Sequence, residues 1–135
     1  MHYTWDIIIP ANTPDSSPTK QHLILTVGIV KHIDIKFPAG CHGMVKIRLK
    51  RWNFQLVPLS SDEYVTGDDE TIPIETYYEM LEVPTFFVFE GSSPNTTYQH
   101  KITIRIDVEP VLTDAEIQII ELLKQLTEAL NPNEQ

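Results

Sequence analysis

Cys41 and His42, in a turn that also contains Gly40 and Gly43, are the candidates for nucleophilic chemistry in this sequence. A thiolate is the nucleophilic form of cysteine, and a nearby imidazolium lowers the pKa of a thiol. A catalytic cysteine also needs a base whose ring nitrogen faces the sulfur, an arrangement that neighbouring turn residues rarely adopt. The sequence therefore predicts no catalytic residue at this position.

The other four histidines lie far apart in the chain, without the HxH, HExxH or Cys–His spacing that brings metal ligands together locally. They are His2, His22, His32 and His100. Solvent-facing or hydrogen-bonded histidines are the favoured interpretation. The single cysteine excludes an intrachain disulfide and a zinc site built from several cysteines. We therefore expect neither a metal site nor a cofactor.

Carboxylates are dense between residues 62 and 70, where their oxygens could attract a hard cation such as Ca²⁺. The residues are Asp62, Glu63, Asp68, Asp69 and Glu70. Gly67 precedes the last three acids, so the segment lacks the alternate-position oxygen pattern of an EF-hand loop. A solvated acidic loop is the favoured interpretation, and a small carboxylate-dependent enzyme stays open as the second alternative function.

Aromatic residues near predicted turns indicate another function, because exposed rings on lectin-like sandwiches stack on sugars. Trp52 follows a basic strand and precedes Asn53 in a predicted turn, and Tyr77 and Tyr78 are further candidates. A carbohydrate-binding β-sandwich module is therefore the first alternative function. The net charge of −9 and the sequence pI of about 4.8 argue against binding to nucleic acid or to an anionic membrane.

Charge is segregated along the chain. Six basic residues and one acid lie between residues 31 and 51, whereas nine acids and no Lys or Arg lie between residues 52 and 100. Such segregation suits a protein whose unlike faces meet in copies of itself. The candidate contacts are Lys46, Arg48 and Lys50 on one face and Asp68, Asp69 and Glu70 on the other. The alternative is that both are solvated faces, since surface ion pairs contribute about 0–1 kcal/mol each.

Apolar and polar residues alternate along short segments separated by turn residues, which predicts about eight strands. The segments are residues 3–9, 22–27, 29–37, 44–50, 54–57, 71–75, 85–90 and 98–108. Residues 76–83 fit either a helical turn or a strand. We expect a bulge at Gly28 and an antiparallel hairpin that joins 29–37 to 44–50. Pro73 predicts an edge position for its strand.

No helix is predicted between strands, which excludes a doubly wound parallel sheet. The sequence predicts an all-β fold, an antiparallel β-sandwich of about eight strands, with the jelly roll as its eight-stranded form, followed by a C-terminal amphipathic α-helix. The sandwich domain spans residues 1–110, and the helix with a short tail spans residues 111–135. Residues 10–21 form a polar, proline-containing arm that is predicted to be mobile or to order against another surface.

A helical period begins after Pro110 with a capping box between Thr113 and Glu116, and Asn131 and Pro132 end it. Its apolar stripe consists of Ile119, Leu122, Leu123, Leu126 and Leu130. Burial of each such side chain is worth about 1.5–3 kcal/mol, so the stripe must pack on its own sandwich or on another molecule. The stripe is wider than a coiled-coil seam, which favours a helix bundle or a docked helix over a two-stranded coiled coil.

The 135 residues, 41% of them hydrophobic and 21% charged, suit one globular domain. The sequence contains no run of 18 apolar residues, which argues against a membrane-spanning helix. Residues 1–9 lack the basic and long apolar regions of a secretory signal, so no signal peptide is visible.

Several features fall at corresponding places in a known class of proteins: the arm at residues 10–21, the turns at 37–43 and 67–70, and the segment 99–101 that leads into the last strand. This layout resembles small jelly-roll-like structural proteins of tailed phages and related viruses. The resemblance covers about residues 1–110, and the helix departs from it. It implies a capsid-decorating or cement-type protein, usually a trimer with exchanged arms, located in the virion or the host cytoplasm.

The leading hypothesis is therefore a non-enzymatic structural or assembly protein of a virion or phage. It would self-associate through the C-terminal helix and complementary charged faces. Its partners would be copies of itself, with a trimer favoured, and a capsid or other virion protein.

Overall fold

Eight strands and one helix form the computed structural model, which describes residues 1–60, 62–111 and 114–130. The strands are β1 (His2–Ile9), β2 (Thr19–Ile24), β3 (Gly28–Phe37), β4 (Lys46–Arg51), β5 (Phe54–Val57), β6 (Glu70–Met80), β7 (Phe86–Ser92) and β8 (His100–Pro110). The helix α1 spans Asp114–Leu130. The predicted capping residue Thr113 and the predicted helix end at Asn131 and Pro132 lie outside the described residues.

The strands form two antiparallel sheets of four. The first sheet has the order β1-β8-β3-β6 and the second has the order β2-β7-β4-β5. The paired strands are β1 with β8, β2 with β7, β3 with β6, and β4 with β5. This is the pairing of one long hairpin that is wrapped around a barrel axis. This pairing is the jelly-roll order, and it confirms the predicted eight-stranded antiparallel sandwich.

The core lies between the two sheets, because alternate side chains of each strand point inward. Ile33 and Ile35 of β3 face the second sheet from one side, and Leu49 and Phe89 face the first sheet from the other. All four are fully buried. The buried apolar side chains of the described residues all lie between Ile7 and Val108, so the sandwich has its core without the helix.

The predicted hairpin between residues 29–37 and 44–50 is wrong. Strand β3 pairs with β6 and β8, whereas β4 pairs with β5 and β7. The turn between β3 and β4 carries the chain from one sheet to the other, because the wrapped hairpin separates consecutive strands. Sequence alternation cannot distinguish this crossing from a hairpin, since both need two strands and a glycine-containing turn.

The predicted bulge at Gly28 is also misplaced. The register of β3 shifts between Val30 and His32, against both of its neighbours. Gly28 instead begins β3, where a Cβ atom would lie 2.5 Å from the carbonyl oxygen of Glu109. Close approach of two backbones therefore explains the glycine.

The segment at residues 76–83, which the sequence left open, is mostly strand. Strand β6 runs to Met80, and it lies at the edge of the first sheet. The edge position of Pro73 is thereby confirmed, since proline cannot donate a backbone hydrogen bond to a further strand.

The proline-containing arm lies against its own sandwich. Thr13 forms an isolated β-bridge with Ser93, and the backbone N–H of Asn12 donates to the Thr96 hydroxyl at 3.1 Å. Residues 19–21, which the sequence assigned to the arm, belong to β2. The arm is therefore ordered by contacts within one chain.

Among the described residues, no helix is both long and apolar enough to cross a lipid bilayer.

Candidate functional site

The apolar stripe of α1 is uncovered. Ile119 and Leu123 are 57% exposed, Leu122 is 59%, Leu126 is 60% and Leu130 is 79%. Every residue from 115 to 130 is exposed, so the helix does not lie on its own sheets. These five residues present a contiguous apolar surface of the kind that marks interaction sites, and their predicted role as an oligomer interface stays a prediction.

The outer face of the second sheet forms a second surface. We define it by nine outward side chains on three strands, which are Lys20, His22 and Ile24 on β2, Phe86, Val88 and Glu90 on β7, and Lys46, Arg48 and Lys50 on β4. Its two ends differ in chemistry. One end is cationic and the other is apolar and aromatic.

At the cationic end, three basic side chains share one buried carboxylate. Arg48 Nε donates to Glu90 Oε2 at 2.5 Å. The Lys50 ammonium lies 3.7 Å from the same oxygen, and the Lys20 ammonium lies 3.8 Å from Glu90 Oε1. Because three cations surround one anion, the cluster keeps an excess of positive charge.

A second carboxylate reaches this face from the arm. Lys46 Nζ donates to Asp15 Oδ2 at 3.0 Å, and the Ser92 hydroxyl donates to Asp15 Oδ1 at 2.6 Å. These two hydrogen bonds hold the pKa of Asp15 below its ordinary value, and the bond from Ser92 has the larger effect. The Tyr64 ring lies 4.8 Å from the Arg48 guanidinium, which adds a cation–π contact.

The apolar end of the same face is a row of three residues, Ile24, Phe86 and Trp52, which we call the aromatic row. Ile24 and Phe86 are register partners on β2 and β7. The Trp52 indole meets the Phe86 ring edge to face at 5.4 Å, and His22 stacks on Phe86 at 4.7 Å. Ile24 is 71% exposed and Trp52 is 63% exposed. The row is therefore an apolar surface open to solvent.

The backbone of Trp52 is unusual for so large a residue. Its φ of 54° lies in the left-handed region, in the tight turn between β4 and β5. Turns of this kind favour Gly, Asn or Asp, and a bulky residue there costs about 1–3 kcal/mol. Turn formation therefore does not account for a tryptophan, whose side chain instead extends the aromatic row.

The candidate sugar-binding residues do not form one platform. Trp52 lies on the outer face of the second sheet, whereas Tyr77 lies on β6 of the first sheet, with the Lys31 ammonium 4.5 Å from its ring centroid. Tyr78 stacks on Phe54 at 5.9 Å and packs against the core. Sequence proximity suggested a cluster, but the two-sheet wrap separates its members.

Cys41 is fully buried, and burial raises the pKa of its thiol to about 11. A thiol of this kind is neutral at physiological pH and unreactive. The environment of the sulfur therefore disfavours nucleophilic chemistry at Cys41.

The acidic segment has a structural role at one of its predicted residues. Asp68 Oδ1 accepts hydrogen bonds from the backbone N–H groups of Gly40 at 2.9 Å and His42 at 3.0 Å. These two hydrogen bonds hold the pKa of Asp68 below its ordinary value, and the bond from His42 has the larger effect. The carboxylate thus fastens the acidic loop to the β3–β4 turn. Within the ranges 1–60, 62–111 and 114–130, His, Cys, Asp and Glu form no group of three suited to a metal ion.

One titratable cluster escaped the sequence analysis. His32 Nε2 lies 2.7 Å from Asp34 Oδ1, and His32 Nδ1 lies 2.5 Å from Glu75 Oε1. The hydrogen bond to Asp34 raises the pKa of His32 most, and the hydrogen bond to Glu75 raises it further. Strand alternation placed His32 and Asp34 on one face, but the pairing of β3 with β6 was needed to bring Glu75 beside them.

A cleft of about 480 Å³ lies beside the β3–β4 turn, between residues 39–44 and 95–100. Its lining includes His42, Tyr98, Gln99 and His100. These segments are about 55 residues apart in the chain, so the sequence held no signal for the cleft.

No protein-family model and no curated protein sequence matches this chain. Among solved structures, it is similar to a chain in the crystal structure of tomato aspermy virus. The sequence identity is 12% and the TM-score is 0.47, over 84% of this chain and 80% of that chain.

Proposed function

We propose that this protein is a non-enzymatic structural protein of a virion, and that it self-associates through α1. The observation that carries the proposal is the uncovered stripe of the helix, whose five leucine and isoleucine side chains are 57–79% exposed. The sandwich already has a complete core, so the helix adds nothing to it. Apolar surface of this extent is unfavourable in water at about 25 cal/mol per Å² and is removed by association.

The jelly-roll body and the ordered arm support the virion role. Jelly rolls form capsid subunits, and they also form lectins and cupins, so the fold by itself does not decide the function. The layout of arm, turns and last strand favours the capsid-associated class. A homotrimer, with a capsid protein as a further partner, is the assembly that we propose.

Charge has a supporting part in this assembly. The basic residues Lys46, Arg48 and Lys50 lie on one outer face, and Asp68 is hydrogen-bonded to the β3–β4 turn. The basic residues are already paired with Glu90 or Asp15 within the chain. We therefore propose that the helix supplies most of the free energy of association and that charge orients the subunits.

Sedimentation velocity of the full chain over a range of concentrations tests the proposal. We expect an oligomer that persists in high salt, because salt screens charge contacts but not apolar ones. The double variant Leu123→Asp, Leu126→Asp should sediment as a monomer, whereas Gln125→Asp, a control on the polar side of the same helix, should not. A wild-type chain that stays monomeric at high concentration would contradict the proposal.

The virion role has its own test. Mass spectrometry of purified particles from cells that express this protein should detect it in stoichiometric amounts. A coding neighbourhood of portal, terminase or capsid genes would agree with that result. Absence from the particles would overturn the virion role and leave self-association standing.

A sugar-binding module is the second candidate, and the 63% exposure of Trp52 favours it. Glycan-array binding that is lost in Trp52→Ala would support this function. Silence of the array, or unchanged binding by the variant, would remove it.

A further inference from the structure

We propose that α1 of one copy packs on the outer face of the second sheet of another copy. In this arrangement the apolar stripe lies over the aromatic row of Ile24, Phe86 and Trp52. The inference rests on the proposed self-association and names the surface that receives the helix.

Both surfaces are apolar and open in the same chain. Ile24 is 71% exposed and Trp52 is 63% exposed, and the stripe is exposed to a similar degree. The Phe86 ring lies between Ile24 and Trp52, so the row is continuous. Burial of large aromatic and aliphatic anchors at the centre of an interface supplies most of its free energy. Each surface therefore offers apolar area that can cover the other.

The dimensions of the two surfaces are compatible. The aromatic row runs across the strands, from β2 over β7 to the turn that follows β4, which is about 10 Å at about 4.8 Å between strands. The stripe from Ile119 to Leu130 is about 17 Å long at 1.5 Å per residue. A helix that crosses the strands can thus cover the whole row.

Charge favours the sheet over a second helix as the partner of α1. The helix carries one base, Lys124, against four acids, Asp114, Glu116, Glu121 and Glu128. Two such helices side by side would bring like net charges together, which disfavours association.

The face of the sheet has the opposite sign. It carries four cations, Lys20, Lys46, Arg48 and Lys50, whose partners within the chain are the two carboxylates Glu90 and Asp15. The opposite net charges therefore attract an acidic helix to this face, whereas two acidic helices repel each other.

The occupant is a second copy, because this chain leaves its own face uncovered. All helix residues from 115 to 130 are exposed, as are Ile24 and Trp52. A helix of one copy on the sheet of the next is a heterologous contact, which builds a ring if the rotation closes and an open filament if it does not. Two copies that exchange their helices form a two-fold dimer instead.

Complementation between two full-length variants tests the inference. The face variant, Ile24→Ser with Trp52→Ala, keeps a native helix. The helix variant, Leu123→Asp with Leu126→Asp, keeps a native face. Each variant alone should weaken self-association at least about tenfold. An equimolar mixture should form a mixed complex, because the helix of the first variant can dock on the face of the second.

Tyr77→Ala is the matched control, since Tyr77 is 62% exposed on the first sheet. It should leave association unchanged. Near-ultraviolet circular dichroism of each variant establishes that the sandwich is folded.

The possible outcomes separate the inference from the proposed function. If the wild type associates and the face variant associates equally well, the inference fails and self-association stands. If both folded variants are monomeric and their mixture is too, the native helix of one copy does not bind the native face of another, and the inference also fails. If the wild type is monomeric, the proposed function itself fails.

Discussion

Arg48 Nε and Glu90 Oε2 meet at 2.5 Å across the pairing of β4 with β7, with side-chain exposures of 15% and 9%. A charge-assisted hydrogen bond between two largely buried side chains is stronger than an exposed ion pair. The Lys20 and Lys50 ammonium groups also lie within 4 Å of Glu90, so one carboxylate holds together the cationic end of the sheet.

Glu90→Gln should therefore destabilise the fold. Three cations lose their shared anion, and the Arg48 bond becomes a neutral-acceptor bond, at a cost of about 1–3 kcal/mol. Urea unfolding measures the change. Glu109→Gln is the control, because its ion pair with Lys31 at 3.2 Å is exposed and is worth about 0–1 kcal/mol. Equal losses for the two variants would contradict the special role of Glu90.

The His32 cluster predicts a pH-dependent stability. The pKa of His32 in the folded chain is raised above its ordinary value of 6.5, first by Asp34 and also by Glu75. Protonated His32 therefore stabilises the fold fully below pH 6.5, and this contribution is lost as the pH rises through the raised pKa. The difference in unfolding free energy between wild type and His32→Gln should shrink over that window. A difference that grows with pH would contradict the assignment.

We expect Asp15 to hold the arm against the sandwich. Its carboxylate accepts from Ser92 and Lys46, so Asp15→Ala should release the arm. Limited proteolysis within residues 14–18 should then become faster, since cleavage follows the population of locally opened chains. Ser16→Ala, at an exposed neighbouring position, is the control. Unchanged cleavage in Asp15→Ala would show that the Thr13–Ser93 bridge suffices to hold the arm.

We expect the Cys41 thiol to react slowly with thiol reagents in the folded chain. The sulfur is buried and the pKa of the thiol is raised to about 11, so the native chain should react with a thiol reagent at neutral pH far more slowly than an unfolded chain. The labelling rate should rise with urea in step with unfolding. A native rate equal to that of a free thiol would contradict the burial of the sulfur.

We expect removal of α1 to abolish self-association without lowering the unfolding free energy of the sandwich. A chain that ends at residue 111 should unfold within about 0.5 kcal/mol of the full chain when both are compared as monomers, because no described core residue lies in α1. It should also lose self-association. A large loss of stability would show that the helix packs on its own sandwich in solution.

Much of the fold follows from local pattern. Alternation along residues 44–50 predicts that Ile47 and Leu49 are buried and that Lys46 and Arg48 face outward, as they do. The stripe of α1 follows from spacings of three and four in the same way. Strand and helix periods are properties of the backbone, so they can be recognised without knowledge of the neighbours.

The pairing of strands required the tertiary structure. The sequence suggested a hairpin between the strands that became β3 and β4, and the structure places them in different sheets. Each strand of a wrapped hairpin pairs with a segment far along the chain, such as β1 with β8. Nothing in one segment specifies which distant segment it meets, because many pairings bury the same apolar face.

The sequence by itself determined which side chains face inward, where the chain turns, and that the last segment carries an apolar stripe. Only the tertiary structure decided that Glu75 joins His32, that Glu90 is shared by three cations, and that Ile24, Phe86 and Trp52 form one row. The physical reason is the same in each case. Periodicity fixes the direction of a side chain relative to its own backbone, whereas its neighbours depend on the register between strands that are remote in sequence.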